Sequence, residues 1–125
     1  MEGIAVAGVE KAGSQEYEAL TRRLEVTQAA DQDLEEIAVF IGRDNPAAAS
    51  RFIASAHAAF RHVLEMPNLG SRILADDKRL EGLRRGRIAR FSNYLIFYGV
   101  TEEVVEIVRV LHGARDIERA LRADE

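Results

Sequence analysis

Three side chains near the ends of predicted strands could take part in acid–base and phosphate chemistry. They are Arg90, His112 and Arg115. An imidazole accepts and donates protons near neutral pH, and a guanidinium group stabilises negative charge that develops on a phosphate. These residue types suit phosphodiester cleavage if the fold brings them into one concavity. His112 also has a structural interpretation, as a packed residue that closes the last strand, and we favour it because histidine is often structural.

A second chemical feature is a dense run of cations between residues 72 and 90. The run has seven cations and three carboxylates, in a chain whose net charge is −4. The cations are Arg72, Lys78, Arg79, Arg84, Arg85, Arg87 and Arg90. This asymmetry indicates a docking face for an acidic partner. Charges on an edge strand that prevent unwanted sheet pairing explain the run equally well.

The sequence predicts neither a metal site nor a cofactor. His57 and His62 are five residues apart on a predicted helix, so they do not share a face. The chain has no cysteine, which excludes disulfides and thiolate metal sites. Neither a glycine-rich phosphate loop nor a Ser-His-Asp set is present.

Length and composition indicate one globular domain. The chain has 125 residues, of which 47% are hydrophobic and 30% charged. This length is sufficient for one hydrophobic core and too short for two. The negative net charge argues against a protein that coats nucleic acid. The apolar stretch from Ile4 to Val9 is too short to span a membrane, and Glu2 stands where a signal peptide is positive. We therefore expect a cytoplasmic protein without a membrane partner.

Periodicity divides the first half of the chain into an appendage, a strand and two helices. Residues 1–20 show no sustained period, so we expect a peripheral appendage before a domain at 21–125. Arg23 to Val26 alternates as a short strand does, and Thr27 can cap the helix that follows. The buried face of that helix is predicted to contain Leu34, Ile37, Ala38 and Ile41. A second helix begins at Pro46 and ends before Pro67, which gives a helical hairpin.

The second half of the chain predicts an antiparallel meander and a last helix. Leu69 to Gly82 is polar and is expected to be a loop. Three segments rich in β-branched and aromatic residues follow, at Leu83–Phe91, Tyr94–Val100 and Val104–His112. Asp116 can cap a short helix through Arg122. The fold class is therefore α+β, with an N-terminal strand, a helical hairpin packed on an antiparallel sheet and a short C-terminal helix.

Two features of the predicted core can be checked directly. The run Tyr94 to Tyr98 is apolar without alternation, which is typical of a central strand covered on both faces. The residues expected to be buried where the hairpin covers the sheet are Phe52, Phe60, Ile96 and Ile107.

Three segments of the sequence carry a family resemblance. They are Ala30–Pro46 (ADQDLEEIAVFIGRDNP), Tyr94–Tyr98 (YLIFY) and Val108–Asp116 (VRVLHGARD). They resemble the signature segments of ParE-type toxins, in the RelE/ParE toxin–antitoxin superfamily that includes plasmid stabilisation proteins. The resemblance runs from about Leu24 to Leu121. It implies the RelE/ParE-like fold, in agreement with the element order that periodicity predicts.

The resemblance also implies a function. It implies the toxin component of a type II toxin–antitoxin system, which inhibits DNA gyrase and is neutralised by a cognate ParD-like antitoxin. It implies no sequence-specific contact with nucleic acid. Two alternatives stay open, namely a ribosome-dependent messenger RNA endoribonuclease of the RelE type and an inactive remnant that still binds its antitoxin. Fold alone does not separate these activities.

The candidate residues divide between these alternatives. For a nuclease, the catalytic candidates are Arg90, His112 and Arg115. The C-terminal tyrosine of RelE-type enzymes has no counterpart in the helix after Arg115, which favours an inhibitor over an enzyme. Arg109 and Arg115 also have a structural alternative, in which they pair with Glu106 or Asp116. For partner binding, the candidates are Arg84, Arg85, Arg87, Arg90 and Arg115.

Overall fold

The computed structural model describes residues 22–73, 78–114 and 117–122. The predicted appendage at residues 1–20 lies outside the described residues, and so do Arg115 and Asp116. The described helices are α1 (Gln28–Gly42), α2 (Pro46–Glu65) and α3 (Ile117–Arg122). The described strands are β1 (Arg23–Val26), β2 (Ser71–Arg72), β3 (Arg84–Arg87), β4 (Tyr94–Val100) and β5 (Val104–His112). A single 3₁₀ turn covers Lys78–Leu80.

The five described strands form one sheet in the order β1-β5-β4-β3-β2. The predicted meander of β3, β4 and β5 is confirmed, because each of these strands pairs antiparallel with the next. Strand β1 pairs parallel with β5, so the N-terminal strand becomes one edge of the sheet. A parallel pair needs a crossover connection, and the helical hairpin is part of that connection.

Two predicted boundaries are wrong for local reasons. The strand predicted to reach Phe91 ends at Arg87, because a turn follows in which Arg90 has a φ of 71°. The predicted loop from Leu69 to Gly82 contains β2 and the 3₁₀ turn. Strand β2 is only two residues long and exposed, so it has no apolar alternation by which a sequence pattern could reveal it.

Both helices of the hairpin start at the residues that the sequence indicates. The hydroxyl of Thr27 accepts a hydrogen bond from Ala30 N at 3.0 Å, and the amide oxygen of Asn45 accepts one from Ala48 N at 3.1 Å. Each cap satisfies an amide that has no partner in the first turn of the helix. Proline at the first position of α2 has no amide hydrogen to leave unpaired.

The main core lies between the hairpin and one face of the sheet. Phe52, Ile96 and Ile107 are fully buried, and Phe60 is 3% exposed, which confirms the predicted core. The ring of Phe52 packs edge-to-face on Phe91, with ring centroids 5.3 Å apart. Truncation of a buried aromatic or aliphatic side chain such as these to alanine costs about 2–5 kcal/mol of unfolding free energy.

A smaller core covers the opposite face of the sheet. There α3 places Ala120 and Leu121 against Phe97 and Leu111, and all four are buried. The consecutive burial of Ile96, Phe97 and Tyr98 confirms that β4 is covered on both faces. We refer below to the hairpin face and the α3 face of the sheet.

Candidate functional site

The side chains of the β3 arginines leave the backbone on opposite faces of the sheet. Arg84 lies opposite Tyr98, on the hairpin face, whereas Arg85 lies opposite Phe97, on the α3 face. Arg87 is two residues further along and shares the side of Arg85, because strand side chains alternate. Strand β2 pairs only with the first two residues of β3, so Arg87 stands where β3 is itself the edge of the described sheet.

Arg84 is engaged within the fold. Its Nη1 donates hydrogen bonds to the carbonyl oxygens of Gly70 at 2.6 Å and Asn68 at 3.2 Å. The Tyr98 hydroxyl holds the same loop, because it donates to Pro67 O at 2.9 Å and accepts from Gly70 N at 3.0 Å. These bonds fix the chain after α2 against the sheet. A partner contact by Arg84 stays a prediction. Such a partner would contact a guanidinium group that already binds two carbonyl oxygens of this loop.

The buried position of Tyr98 changes its acidity. Burial raises the pKa of the Tyr98 hydroxyl above its ordinary value of 10.0, and the hydrogen bond from Gly70 and the charge of Arg84 oppose this only in part. The phenol is therefore protonated at neutral pH and can donate to Pro67.

A groove lies between the C-terminal half of α2 and β3, with a volume of about 250 Å³. We call it the basic groove. It is lined by Ala59, His62, Val63, Met66, Leu69, Gly70, Ser71, Arg85, Gly86, Arg87 and Tyr98. Met66 and Leu69 are 48% and 64% exposed, so the groove presents large apolar side chains to solvent. Arg85 and Arg87 line it at the sheet edge, where long arginine side chains can reach either face.

The turn between β3 and β4 presents Arg90 from a constrained backbone. Phe91 N donates to Ile88 O at 3.0 Å, and the positive φ of Arg90 is the conformation that the third residue of a type II turn requires. Glycine or asparagine usually occupies that position. The next residue, Phe91, packs against Phe52 of α2, and this contact fixes the turn to the helical hairpin. Arg90 itself is exposed.

His112 lies at the end of β5, at the same end of the sheet. It is opposite Tyr94 in the strand register, and the two rings meet edge-to-face at 5.2 Å. Its Nδ1 accepts a hydrogen bond from Ala114 N at 3.0 Å. This bond leaves Nε2 as the nitrogen that carries the proton in the neutral ring. The imidazole is therefore positioned by ring packing and by the turn that follows β5.

A second concavity, of about 300 Å³, lies on the α3 face beside β3. Its lining includes Arg72, Arg85, Phe97 and Leu121, and neither Arg90 nor His112 lines it. Arg90 and His112 thus lie at the end of the sheet, outside both concavities beside β3. Arg115, the remaining candidate, lies outside the described residues.

Arg109 forms a buried ion pair that links three elements. Its Nε and Nη2 bind Asp33 Oδ2 and Oδ1 at 2.6 and 2.8 Å, and its Nη1 donates to Ala120 O at 3.3 Å. Asp33 Oδ2 also accepts from Val110 N at 2.9 Å. Asp33 is 7% exposed, so the pair joins α1, β5 and α3 in a largely dry environment.

Asp33 was not predicted as the partner of Arg109. The sequence had suggested Glu106 or Asp116 as the partner, and Asp116 lies outside the described residues. A signal was nevertheless present, because Asp33 occupies a position of the apolar stripe that continues through Leu34 and Ile37. A carboxylate on the buried face of a helix needs a cation or several hydrogen bonds.

A bulge in β5 shapes this contact. Phe97 is opposite Arg109 and Tyr98 is opposite Ile107, so Val108 is an extra residue in β5. The Thr27 hydroxyl donates to the carbonyl oxygen of Val108 at 2.7 Å. Strand β1 ends beside Ile107, and beyond that point the first turns of α1 cover the edge of β5.

Two absences concern only the part of the chain that the structure describes. No group of three His, Asp or Glu side chains in it is placed to hold a metal ion. None of the helices at 28–42, 46–65 and 117–122 has the length and apolar character needed to cross a bilayer.

These features define a class of small α+β protein whose surface offers binding grooves along a helical hairpin and a sheet edge. The chain belongs to the ParE toxin family, described as the ParE toxin of the type II toxin–antitoxin system parDE, whose model matches residues 24–117. It is therefore the toxin component of a type II toxin–antitoxin system. This agrees with the family that the sequence resembles.

Solved structures show the same fold. The chain is similar to a chromosomal ParDE toxin–antitoxin system protein from P. aeruginosa, with a TM-score of 0.62 and 17% identity over 74% of this chain and 97% of that one. It is also similar to a chain of the RelBE2 toxin–antitoxin complex from Mycobacterium tuberculosis, with a TM-score of 0.50 and 22% identity over 74% of this chain and 98% of that one. No curated protein matches the sequence.

Proposed function

We propose that this toxin acts by binding and inhibiting DNA gyrase, without catalysing a chemical step, and that a cognate ParD-like antitoxin silences it. The observation that carries the proposal is that two of the candidate catalytic groups, Arg90 and His112, line neither of the two grooves beside β3. RNA cleavage needs a base, an acid and a cation around one phosphate. Arg90 and His112 lie at the sheet end, outside the two grooves beside β3.

The cover on the α3 face supports the same proposal. An RNA strand that lay across this face of the sheet would have to displace α3, whose Ala120 and Leu121 pack with Phe97. Displacing α3 would expose buried apolar surface to water, at a free-energy cost of about 25 cal/mol per Å². It would also remove the carbonyl of Ala120 from Arg109.

For the antitoxin, the basic groove is the contact that we propose. Met66 and Leu69 are exposed, and an apolar segment of a partner would remove them from water. Arg85 and Arg87 at the β3 edge would attract carboxylates next to that segment. An acidic amphipathic segment of the antitoxin therefore fits the groove.

Two assays with the purified toxin test the activity. A supercoiling assay measures inhibition of gyrase, and primer extension on messenger RNA in a translating extract measures cleavage. We expect inhibition of supercoiling and no cut RNA, both for the parent and for His112→Gln. Cut RNA that disappears in His112→Gln, together with normal supercoiling, would instead establish the RelE-type alternative. Absence of both effects would indicate the inactive remnant.

Co-expression with the product of the neighbouring reading frame tests the antitoxin contact. We expect a stable complex. Leu69→Asp should raise its Kd at least tenfold, because a charge would replace an apolar side chain that the partner buries in the complex. Phe40→Asp is the matched control, since Phe40 is 63% exposed and does not line the basic groove. Equal weakening by both variants would contradict the proposed location.

A further inference from the structure

The end of the sheet where β3 and β5 stop and β4 begins is held by two consecutive turns. Phe91 N donates to Ile88 O at 3.0 Å, and Tyr94 N donates to Phe91 O at 2.9 Å. Gly113 N donates to Asn93 O at 2.7 Å, which ties these turns to the end of β5. The residues that this arrangement presents together are Arg90, Asn93, Tyr94 and His112. We call them the sheet-end surface, and its backbone is fixed before any partner binds.

The sheet-end surface presents hydrogen-bond donors to solvent. Arg90 and His112 are both exposed. Within the part of the chain that the structure describes, the Arg90 guanidinium forms neither a hydrogen bond nor an ion pair. The His112 ring accepts from Ala114 N at Nδ1, so Nε2 is the nitrogen with a proton to donate. A guanidinium group and an imidazole N–H both bind carboxylate oxygens.

The elements that carry the sheet-end surface place their carboxylates elsewhere. Between Glu81 and Glu102 the sequence contains four arginines and neither aspartate nor glutamate. Strand β5 contains Glu106, which is opposite Gly99, near the other end of β4. Helix α2 packs on the turn through an aromatic contact, and its one carboxylate, Glu65, is its last residue. The cations of the sheet-end surface therefore complement an acidic partner.

The backbone singles out Arg90 among the exposed arginines. It is the one non-glycine residue in the described chain with a positive φ, 71°. Its side chain is exposed, so packing in the core does not require an arginine at this position. Unfavourable backbone conformations are concentrated where a side chain has a function. The conformation of this turn therefore indicates a use for the guanidinium group outside the fold.

We propose that the sheet-end surface is the contact through which the toxin binds gyrase, and that it fits an acidic segment of that enzyme. This inference rests on the proposed inhibition of gyrase and names the surface responsible. The surface lies outside both grooves beside β3, so it does not enclose a ligand, but it can enter a cleft of a larger protein. The Arg90 guanidinium would bind one carboxylate through two hydrogen bonds, and His112 Nε2 would donate to a second.

Nucleic acid fits the sheet-end surface less well than an acidic protein segment. Its binding depends on several phosphate contacts, whereas this chain has a net charge of −4. Single strands also bind through open aromatic faces on which bases stack. The Tyr94 ring instead packs edge-to-face on Phe52 and on His112, with ring centroids 5.4 and 5.2 Å apart. The rings of this surface therefore serve to position the donors.

The sheet-end surface is separate from the antitoxin contact that we propose in the basic groove. Tyr94 begins β4, and Tyr98 lines the basic groove four residues further along, roughly 14 Å at 3.4 Å per residue. The two contacts can therefore be disturbed one at a time. A variant of Arg90 should separate gyrase binding from antitoxin binding.

Charge reversal at Arg90 tests this assignment. Arg90→Glu inverts the charge but keeps a Cβ at the same turn position, so it leaves the backbone cost in place. Arg61→Glu is the matched control, because Arg61 is an exposed residue of α2 that lines neither groove beside β3. The full-length proteins are compared by their half-inhibitory concentration in a supercoiling assay, their Kd for gyrase without DNA and their Kd for the co-expressed antitoxin. A thermal scan confirms that each variant is folded.

We expect Arg90→Glu to raise the half-inhibitory concentration and the Kd for gyrase about tenfold or more at low salt, because like charges would meet at the contact. The effect should be smaller at high salt, which screens exposed charges. Arg61→Glu should leave both quantities within about twofold, the scale of a screened charge away from the interface. Neither variant should change the Kd for the antitoxin by more than about twofold.

Two replacements of His112 supply an independent measurement. His112→Glu should raise the Kd for gyrase about fivefold or more, because it replaces a donor with a negative charge. His112→Gln keeps an N–H donor near the position of Nε2, so this variant should still inhibit supercoiling. Equal Kd values for gyrase in these two variants would overturn the role of the Nε2 donor in the contact.

Three outcomes would overturn the assignment while the parent protein still inhibits gyrase. The first is an equal effect of Arg90→Glu and Arg61→Glu on gyrase binding. The second is an equal loss of affinity for gyrase and for the antitoxin in Arg90→Glu, which would place the antitoxin on the sheet-end surface. The third is binding of the parent to a DNA duplex alone that Arg90→Glu abolishes, which would assign the surface to nucleic acid. A parent protein that leaves supercoiling unaffected would instead remove the proposed function, and this inference with it.

Discussion

Replacing Arg90 with glycine should stabilise the fold. Arg90 has a φ of 71°, in the left-handed region where its Cβ crowds the following carbonyl, at a cost of roughly 1–2 kcal/mol for an L-residue. Glycine avoids that clash but loses more chain entropy on folding, by about 0.5–1 kcal/mol. At the midpoints of these two ranges, the difference is a gain of about 0.75 kcal/mol in unfolding free energy. For a domain of this size it corresponds to roughly 2–4 °C in Tm.

Arg87→Gly is the matched control for this prediction. It also removes one exposed guanidinium from the same segment, but Arg87 lies in β3 with ordinary strand geometry. Glycine in a strand costs about 0.5–1 kcal/mol, so this variant should be less stable than the parent. Thermal and urea unfolding of the three proteins measure the two differences. Destabilisation of Arg90→Gly to the extent of Arg87→Gly would refute the argument from backbone strain.

The Arg90→Gly variant also tests the role of the side chain. A residue held in an unfavourable backbone conformation at an exposed, packed turn suggests that its side chain has a use. If Arg90 contacts gyrase or the antitoxin, Arg90→Gly lowers affinity while stability rises. Loss of stability then cannot explain the loss of binding. Unchanged binding to both proteins would show that the guanidinium has no partner role.

Three further outcomes are expected. Asp33→Asn should cost about 3–5 kcal/mol in urea unfolding, because it removes the carboxylate that binds Nε and Nη2 of the buried Arg109; a loss below 1 kcal/mol would contradict a structural role for the pair. The raised pKa of Tyr98 means that its hydroxyl ionises at lower pH in the unfolded chain than in the folded protein. The contribution of this hydroxyl to the free energy of unfolding is therefore fully present below about pH 10 and is lost as pH rises through the higher pKa of the folded state. Unfolding from pH 8 to 11 should therefore show a decline that is smaller in Tyr98→Phe. Deleting residues 1–20 should leave Tm nearly unchanged in a thermal scan, whereas a fall of several degrees would show that the segment packs on the domain.

Periodicity was sufficient for the parts of the fold that repeat over many residues. The bounds of α1, α2, β4 and β5 agree with the predictions, because each element rests on several apolar positions in register. The short and polar elements could not be predicted in the same way. Strand β2 has two residues and owes its place to pairing with β3, a non-local contact that carries no pattern of its own.

The candidate site was predicted as a set of residue types. The hydrogen bonds and ion pairs that these residues form depend on tertiary contacts, which residue types do not predict. Nothing in the sequence indicates that the carbonyls of Asn68 and Gly70 turn toward Arg84, since loop backbone directions are not encoded by side-chain type. The bulge at Val108 likewise changes which face Arg109 occupies relative to a regular strand. Counting cations along the chain therefore predicted a charged region but not which cations are available.

Strand alternation separates the arginine that orders a loop from the arginines that we propose contact a partner. Arg84 starts from the hairpin face and is bound by the loop after α2, which keeps Met66 and Leu69 beside the sheet. Arg85 and Arg87 leave the backbone on the opposite face and are exposed, and Arg87 lies where β3 is the edge of the described sheet. Loss of Arg84 should therefore weaken partner binding indirectly, through the loop and with a measurable fall in stability. Loss of Arg87 should weaken it directly, with a stability change within about 0.5 kcal/mol when the replacement is a strand-compatible residue such as threonine.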